Sequence, residues 1–245
     1  MKINKFKKVG KNKYKIFFDN TDITIHEDVI LKYDLLINNN IDIDLLDKIL
    51  EENRYYDVYE SALSYIEIKM RSKKELENYL LKKDYDKKLI DKVINKIEDL
   101  GLLNTKNYIS AFINDKINLS NDGPYKIKKS LLDLEFDENE IDDYLYKIDN
   151  EIWKEKLNKL INKKKNIMNS KSYFMFINKM KNDLYNLGYD KDMIDEYLSK
   201  IEYESNAIEK DYEKANKKFN GDKTKITNSL LRKGYSYEEI KNVFK

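Results

Sequence analysis

The stretch MKNDLYNLGYDK at residues 180–191 decides the fold, because the chain carries three further copies of its pattern. The other copies are LENYLLKKDYDK at 76–87, IKKSLLDLEFDE at 127–138 and ITNSLLRKGYSY at 226–237. Each copy has apolar residues at helical spacing, then an aromatic residue, and the copies lie about fifty residues apart, a period typical of repeat proteins. The chain is therefore predicted to contain four tandem helical repeats.

Each copy also predicts how its helices end and begin. The residue after the aromatic is a helix N-cap, whose side-chain oxygen accepts from unpaired amides of the next helix. These N-caps are Asp86, Asp137, Asp190 and Ser236. Before the aromatic, Gly188 and Gly234 suit a left-handed helix terminator, whereas Asp84 and Glu135 at the equivalent positions predict slightly strained turns.

A third amphipathic stretch precedes each pair, near 55–70, 105–118, 151–168 and 205–218, so the predicted unit has three helices. We expect Leu76, Leu80, Ile127 and Leu131 in the core. Stacked units bury a continuous core, so the predicted fold class is mainly α, an elongated curved array of tandem three-helix repeats. The predicted limits of the repeats are 54–103, 104–150, 151–203 and 204–245.

The first part of the chain, residues 1–53, differs from the repeats. Ile3–Val9, Tyr14–Phe18 and Ile23–Ile25 are short, partly alternating apolar runs separated by turn residues, which predicts three strands. Glu27–Tyr33 and Ile43–Leu50 predict short helices that cover the sheet. This section is expected to be a small, strand-containing α+β section.

Composition excludes several classes of protein. The 245 residues include no Cys, so a disulfide scaffold, a thiol enzyme and a Cys-ligated zinc site are excluded. His26 is the only histidine, predicted to be partly exposed at a strand-to-helix turn, and six scattered Gly form no phosphate-binding loop. We find no catalytic constellation and predict a protein that is not an enzyme and needs no cofactor. The absence of a long apolar run predicts a soluble, cytoplasmic protein without membrane contact.

Basic residues are the remaining signal of function. The formal charge is only +2, but Lys and Arg cluster around Arg71 and Lys74 and again at Lys126, Lys128 and Lys129, at equivalent places in repeats one and two. They are interpreted either as one basic stripe on a concave face or as ordinary solvent-facing side chains. The aromatics at 85, 136, 189 and 235 are interpreted as packing residues rather than base-stacking platforms.

Three motifs resemble those of a known family. Met70-Arg71-Ser72-Lys73-Lys74-Glu75-Leu76, then Leu100-Gly101-Leu102-Leu103 with Tyr108-Ile109, then Lys116-Ile117-Asn118 with Gly123-Pro124 and Ile127 follow the order and spacing of the RecX family of bacterial recombination regulators. The resemblance covers essentially the whole chain. It is strongest with the long members from low-GC Gram-positive bacteria, which carry a strand-containing N-terminal section.

The resemblance implies a non-enzymatic regulator of homologous recombination. Such a protein binds in the groove of the RecA filament on single-stranded DNA and restrains RecA ATPase activity, filament growth and strand exchange. The matching motifs place the candidate contacts to the filament or DNA at Arg71, Lys74, Lys116, Lys126, Lys128 and Lys129. Weak direct DNA contact is allowed, and a monomer is expected. The alternatives are a helical module that binds single-stranded DNA alone and a protein-binding scaffold.

Overall fold

The computed structural model describes residues 1–167, 172–203 and 207–244, and their contacts divide the chain into two compact units, Met1–Tyr108 and Ile109–Lys245. The described residues are mostly helical, with one small sheet at the N-terminus. The predicted class, a mainly α chain of three-helix repeats with an N-terminal strand section, is confirmed. The limits of the individual repeats stay predictions.

The first unit begins with a three-stranded antiparallel sheet in the order β1-β2-β3, formed by Lys5–Lys8, Lys13–Phe17 and Asp22–His26. The three predicted strands are thus confirmed. Alternation puts Ile16 and Ile25 on the face that is buried under helix α1, Glu27–Lys32, and under the start of α2.

Helix α2 runs without interruption over Ile43–Ile68. The prediction of two separate helices in this stretch is wrong, because no Gly or Pro stands between them and four of the residues 50–54 (Leu50, Glu51, Glu52 and Arg54) are good helix formers. Ile49 packs in the core of the sheet, whereas Val58 and Ala62 pack in the core of the first repeat. One helix therefore serves both cores.

The first repeat combines the second half of α2 with α3, Lys73–Leu81, and α4, Lys87–Asp99. Its core contains the predicted residues Leu76 and Leu80, both fully buried, together with apolar residues of α2 and α4. Helix α5, Thr105–Leu119, begins at the end of this unit and continues into the second.

The second unit is entirely helical within the described residues. After α5 come α6 and α7, then α8, α9 and α10 of the third repeat, then α11, α12 and α13 of the fourth. Their bounds are Pro124–Leu132, Glu138–Tyr146, Asn150–Ile167, Tyr173–Asn186, Lys191–Ser199, Ala207–Phe219, Lys223–Arg232 and Tyr237–Val243. Ile127 and Leu131, predicted to be core residues, are fully buried.

The predicted helix ends are confirmed in all four repeats. Each N-cap side chain accepts from an amide in the first turn of its helix, as at Asp86, Asp137, Asp190 and Ser236. The residues at the predicted terminators all have positive φ, 59° at Asp84, 64° at Glu135, 84° at Gly188 and 81° at Gly234. The sequence therefore encodes the same left-handed turn four times.

His26 differs from its prediction, because it is buried rather than partly exposed. It is the N-cap of α1, where its Nδ1 accepts from the amide of Asp28 at 3.3 Å, and its ring stacks on Tyr56 of α2. The long helix α2 covers the imidazole, which explains the burial.

Candidate partner-binding surface

The first basic motif is built around the start of α3. Ser72 and Glu75 form a capping box, in which the Ser72 amide donates to the Glu75 carboxylate at 2.8 Å and the Glu75 amide donates to the Ser72 hydroxyl at 3.0 Å. The hydroxyl of Tyr108 donates to the same carboxylate at 2.9 Å. Glu75 therefore ties the start of α3 to the start of α5.

Arg71, a predicted contact residue, lies inside this network. Its guanidinium carbon is 3.9 Å from the centroid of the Tyr65 ring, and its Nη1 is 3.8 Å from Glu75. Only 13% of its side chain is exposed, and its Nε is buried without a hydrogen-bond partner among the described residues. Its contacts are with the first repeat, so its role towards a partner stays a prediction.

Lys74, the second predicted contact, is about one-third exposed and lies 3.6 Å from Glu77. Glu77 also pairs with Lys87, and these ammonium groups lower the pKa of its carboxyl, with the Lys87 hydrogen bond as the main cause. Lys74 therefore lies in a mixed cluster rather than in an open field of positive charge.

Lys116 and Lys126 share one buried acid, Asp122, with distances of 3.0 Å and 2.7 Å between ammonium and carboxylate. Burial raises the pKa of Asp122, but the hydrogen bonds from Lys126 and Lys116 outweigh it and hold the pKa below its usual value. The carboxylate is therefore charged at neutral pH, and the three side chains carry a net charge of +1.

Lys128 pairs with two carboxylates of α7, Glu138 at 2.8 Å and Asp142 at 2.7 Å. Lys129, on the next position of α6, is exposed and forms no ion pair with any residue that the structure describes. Among the predicted contacts, Lys129 is thus the one with the most available positive charge.

Lys129 lines an open cleft of about 820 Å³ between α6 of the second repeat and the turn between α9 and α10 of the third. We call it the α6 cleft, and its basic and aromatic lining consists of Tyr125, Lys126, Lys129, Tyr185, Tyr189 and Lys191. Tyr125 and Tyr185 are 59% and 67% exposed. Asp133 and Asp190 also line the cleft, so its ionised side chains sum to +1.

The Gly-Pro motif explains why the cleft forms. The amide of Gly123 donates to the carbonyl of Leu187 at 2.6 Å, and the amide of Tyr125 donates to the carbonyl of Gly188 at 3.1 Å. Pro124 between them has no amide to satisfy. The start of α6 is therefore joined, backbone to backbone, to the turn of the next repeat.

One basic residue that the sequence did not single out completes this region. Lys156 of α8 donates from its ammonium to two carbonyls in the last turn of α5, those of Lys116 and Ile117 at 3.2 and 2.6 Å, and to the carbonyl of Ser120 just after the helix at 3.0 Å. A cation at a helix C-terminus satisfies carbonyls that lack partners within the helix. The partners lie in another repeat, so no local sequence signal marks this lysine.

None of the helices in the described part of the chain has the length and apolar character needed to cross a membrane. Within the same residues, no group of three or more His, Asp or Glu is placed to hold a metal ion.

The fold and this surface define the class of α-helical repeat proteins, here with a small sheet at the N-terminus. The family model described as RecX, first three-helix domain, matches residues 59–96. The chain is 30% identical to the regulatory protein RecX of Streptococcus agalactiae serotype Ia, across the whole chain and 99% of that protein. It is 31% identical to the regulatory protein RecX of Lactococcus lactis subsp. lactis, across 99% and 96%. The chain therefore belongs to the RecX family.

Solved structures agree with this assignment. The crystal structure of RecX from Lactobacillus salivarius is 32% identical, with a TM-score of 0.54, and it covers 61% of this chain and 99% of its own. A crystal structure of a regulatory protein RecX covers 79% of this chain and 97% of its own with a TM-score of 0.68. At 21% identity, this second likeness concerns the fold alone.

Proposed function

We propose that this chain is a non-enzymatic regulator of homologous recombination that binds the RecA filament on single-stranded DNA. Binding restrains RecA ATPase activity, filament growth and strand exchange. The observation that carries the proposal is the match to RecX proteins along the whole chain. Action as a monomer in the cytoplasm belongs to the same proposal.

The α6 cleft is our proposed docking site for the filament. It offers the ammonium groups of Lys129 and Lys191, which form no ion pair with the described residues, beside the exposed rings of Tyr125 and Tyr185. Aromatic side chains are enriched at protein interfaces, and exposed ammonium groups attract a partner surface of opposite charge. Lys116, Lys126 and Lys128 belong to the same proposed contact set, although Asp122, Glu138 and Asp142 balance their three charges.

Arg71 and Lys74 lie in the first unit and are proposed as secondary contacts. Charge reversal at Arg71 would disturb its contacts with Tyr65 and Glu75, so that variant would not separate binding from folding. Lys129 and Lys191 are better probes, because both are exposed and neither forms an ion pair with the described residues.

The test measures RecA ATPase activity that depends on single-stranded DNA while this protein is added at amounts well below that of RecA. The wild type is expected to inhibit, and Lys129→Glu with Lys191→Glu to weaken inhibition about tenfold or more, because like charge at an interface costs binding energy. The matched control is Lys210→Glu with Lys214→Glu, the same charge change on the exposed face of α11. Absence of inhibition by the wild type would refute the proposed function, and equal inhibition by the two variants would refute the docking site.

A second candidate function is direct binding of single-stranded DNA by the repeats. Tyr125 and Tyr185 favour it, because exposed rings beside lysines provide stacking for bases and charge for phosphates. In that case, Tyr125→Ser with Tyr185→Ser would weaken binding to bare strands, and the wild type would bind bare strands tightly without affecting RecA turnover.

A further inference from the structure

The N-terminal sheet has two faces of opposite character. Phe6, Tyr14, Ile16 and Ile25 point to the core under α1 and α2. The strand register puts Lys5 opposite Phe17, Lys7 opposite Lys15, and Lys15 opposite Thr24 on the other face. We call the group Lys5, Lys7, Lys15 and Phe17 the basic sheet face.

Two lysines of this face, Lys5 and Lys7, have no acidic partner among the residues that the structure describes. Residues 1–18 contain seven Lys and no acid. Lys13 is paired with Asp57 and Glu60 of α2 at 2.8 and 3.0 Å, and so it contributes no free charge. Lys5 and Lys7 are exposed and form no ion pair with the part of the chain that the structure describes.

Asp22 is the acid that the strands contribute to this face, and it pairs with Lys15 at 2.8 Å. Lys7 lies directly across from Lys15, an arrangement of like charges that destabilises a sheet. A bound anion would remove this repulsion. No contact among the described residues accounts for Lys7 at this position, which favours a partner outside the chain.

The spacing and the aromatic ring indicate what the partner is. Lys5 and Lys7 lie on the same face of β1, two residues and therefore about 6.6 Å apart at the backbone. This separation suits successive phosphates of an extended nucleic-acid strand. Phe17 lies across from Lys5, and the Lys15 ammonium is 5.6 Å from its ring centroid. An aromatic side chain on an open sheet is a stacking platform for unpaired bases, which an acidic peptide does not have.

We propose that the basic sheet face binds single-stranded nucleic acid, with phosphates at Lys5 and Lys7 and a base against Phe17. This binding is separate from the function proposed for the repeats and does not depend on it. The face gives the chain its own contact to a bare strand, at the far end of the sequence from the fourth repeat.

The test uses the full chain and a fluorescently labelled oligothymidylate, titrated at several salt concentrations. Lys5→Gln with Lys7→Gln is expected to weaken binding about tenfold at low salt and to reduce the slope of log affinity against log salt by about 1.4, because two phosphate contacts are lost. Phe17→Leu is expected to weaken binding about fivefold with the slope unchanged, because stacking is lost and charge is kept. The matched control, Lys210→Gln with Lys214→Gln, keeps the wild-type affinity and slope.

Two results would overturn the proposal. The first is that the double variant Lys5→Gln with Lys7→Gln has the same affinity and the same salt slope as the wild type. This result counts only if the variant also keeps the helical content and melting temperature of the wild type. The other is a wild type that binds polyglutamate but not the oligothymidylate, which would assign the face to acidic protein segments. Since RecA is absent from this experiment, failure of the proposed regulation leaves its result unaffected.

Discussion

The same left-handed turn packs in two different ways in this molecule. One case is the contact between the second and third repeats, and the other is the contact between the third and fourth. At the first joint, Gly188 faces the backbone of α6, and an added Cβ would lie 2.6 Å from Lys126 Cβ and against the Lys126 nitrogen. At the second, Gly234 faces a side chain, and an added Cβ would lie 2.6 Å from Cδ1 of Phe174. Asp84 has the same left-handed φ, yet its side chain is exposed. The helix end therefore requires only the left-handed backbone conformation, whereas close packing against the preceding repeat requires the glycine.

The largest expected effect comes from alanine at the two glycines. Gly188→Ala is expected to lower the free energy of unfolding by about 4 kcal/mol, because a left-handed alanine is strained and the backbone of α6 must move. Gly234→Ala is expected to cost about 2 kcal/mol, because the Phe174 ring can rotate away. Urea denaturation of each variant measures the difference.

Gly10→Ala is the control for this comparison. Its added Cβ would make only an ordinary contact, 3.6 Å from Lys13 Cβ, and its φ is not left-handed. It should unfold close to the wild type. Equal losses at Gly188 and Gly234 would show that strain of the turn, rather than the packing of the joint, sets the cost.

The tyrosines after the two glycines should respond in opposite directions. The hydroxyl of Tyr235 donates to Asp211 at 3.0 Å, so Tyr235→Phe is expected to lower the free energy of unfolding by about 1 kcal/mol. The hydroxyl of Tyr189 is buried without a partner among the described residues, so Tyr189→Phe is expected to gain up to about 1 kcal/mol. Thermal unfolding of both variants gives the two signs, and destabilisation of Tyr189→Phe would contradict the unpaired hydroxyl.

The same tyrosine predicts an alkaline dependence. Burial, with a smaller contribution from Asp122, raises the pKa of Tyr189 to about 12. The ordinary tyrosine pKa is about 10, so the stability that comes from the neutral ring is complete below about pH 10 and is lost as the pH rises towards 12. Tyr189→Phe should lose less stability than the wild type over this range. Parallel pH profiles for the two proteins would contradict the raised pKa.

The smallest expected effect is at the first turn. Asp84→Gly removes the strain of a non-glycine residue with left-handed φ but increases the conformational entropy of the unfolded chain. The free energy of unfolding is therefore expected to rise by about 0.5 kcal/mol. Asp84→Ala, which keeps the positive φ without the local hydrogen bonding of an acid, should lose stability instead. A loss in Asp84→Gly would show that this turn, too, depends on its side chain.

Local signals in the sequence predicted most of the fold. The N-caps, the left-handed turns and the three strands each depend on residues close together in the chain, and all are present. The sequence pattern does not predict the continuous helix α2, because a short apolar pattern ends at Leu50 and indicates a helix end there. Helical propensity in 50–54 overrides that interpretation.

The candidate surface was harder to predict, because its properties depend on contacts between distant residues. Nothing near Arg71 in the sequence indicates that its guanidinium would stack on Tyr65 and lie beside a carboxylate that also binds Tyr108. The pairing of Lys128 with α7 and the joint of Gly123 with Leu187 likewise arise only in the folded chain. The sequence therefore identifies the basic residues only as a group and cannot rank how available their charges are to a partner.

The continuous helix α2 has a mechanical consequence. Its 26 residues form a rod about 39 Å long, with the sheet packed on its first half and the first repeat on its second. A rod of this kind resists bending and leaves no slack between the two cores. A force applied to the sheet would therefore be transmitted through α2 to the core of the first repeat.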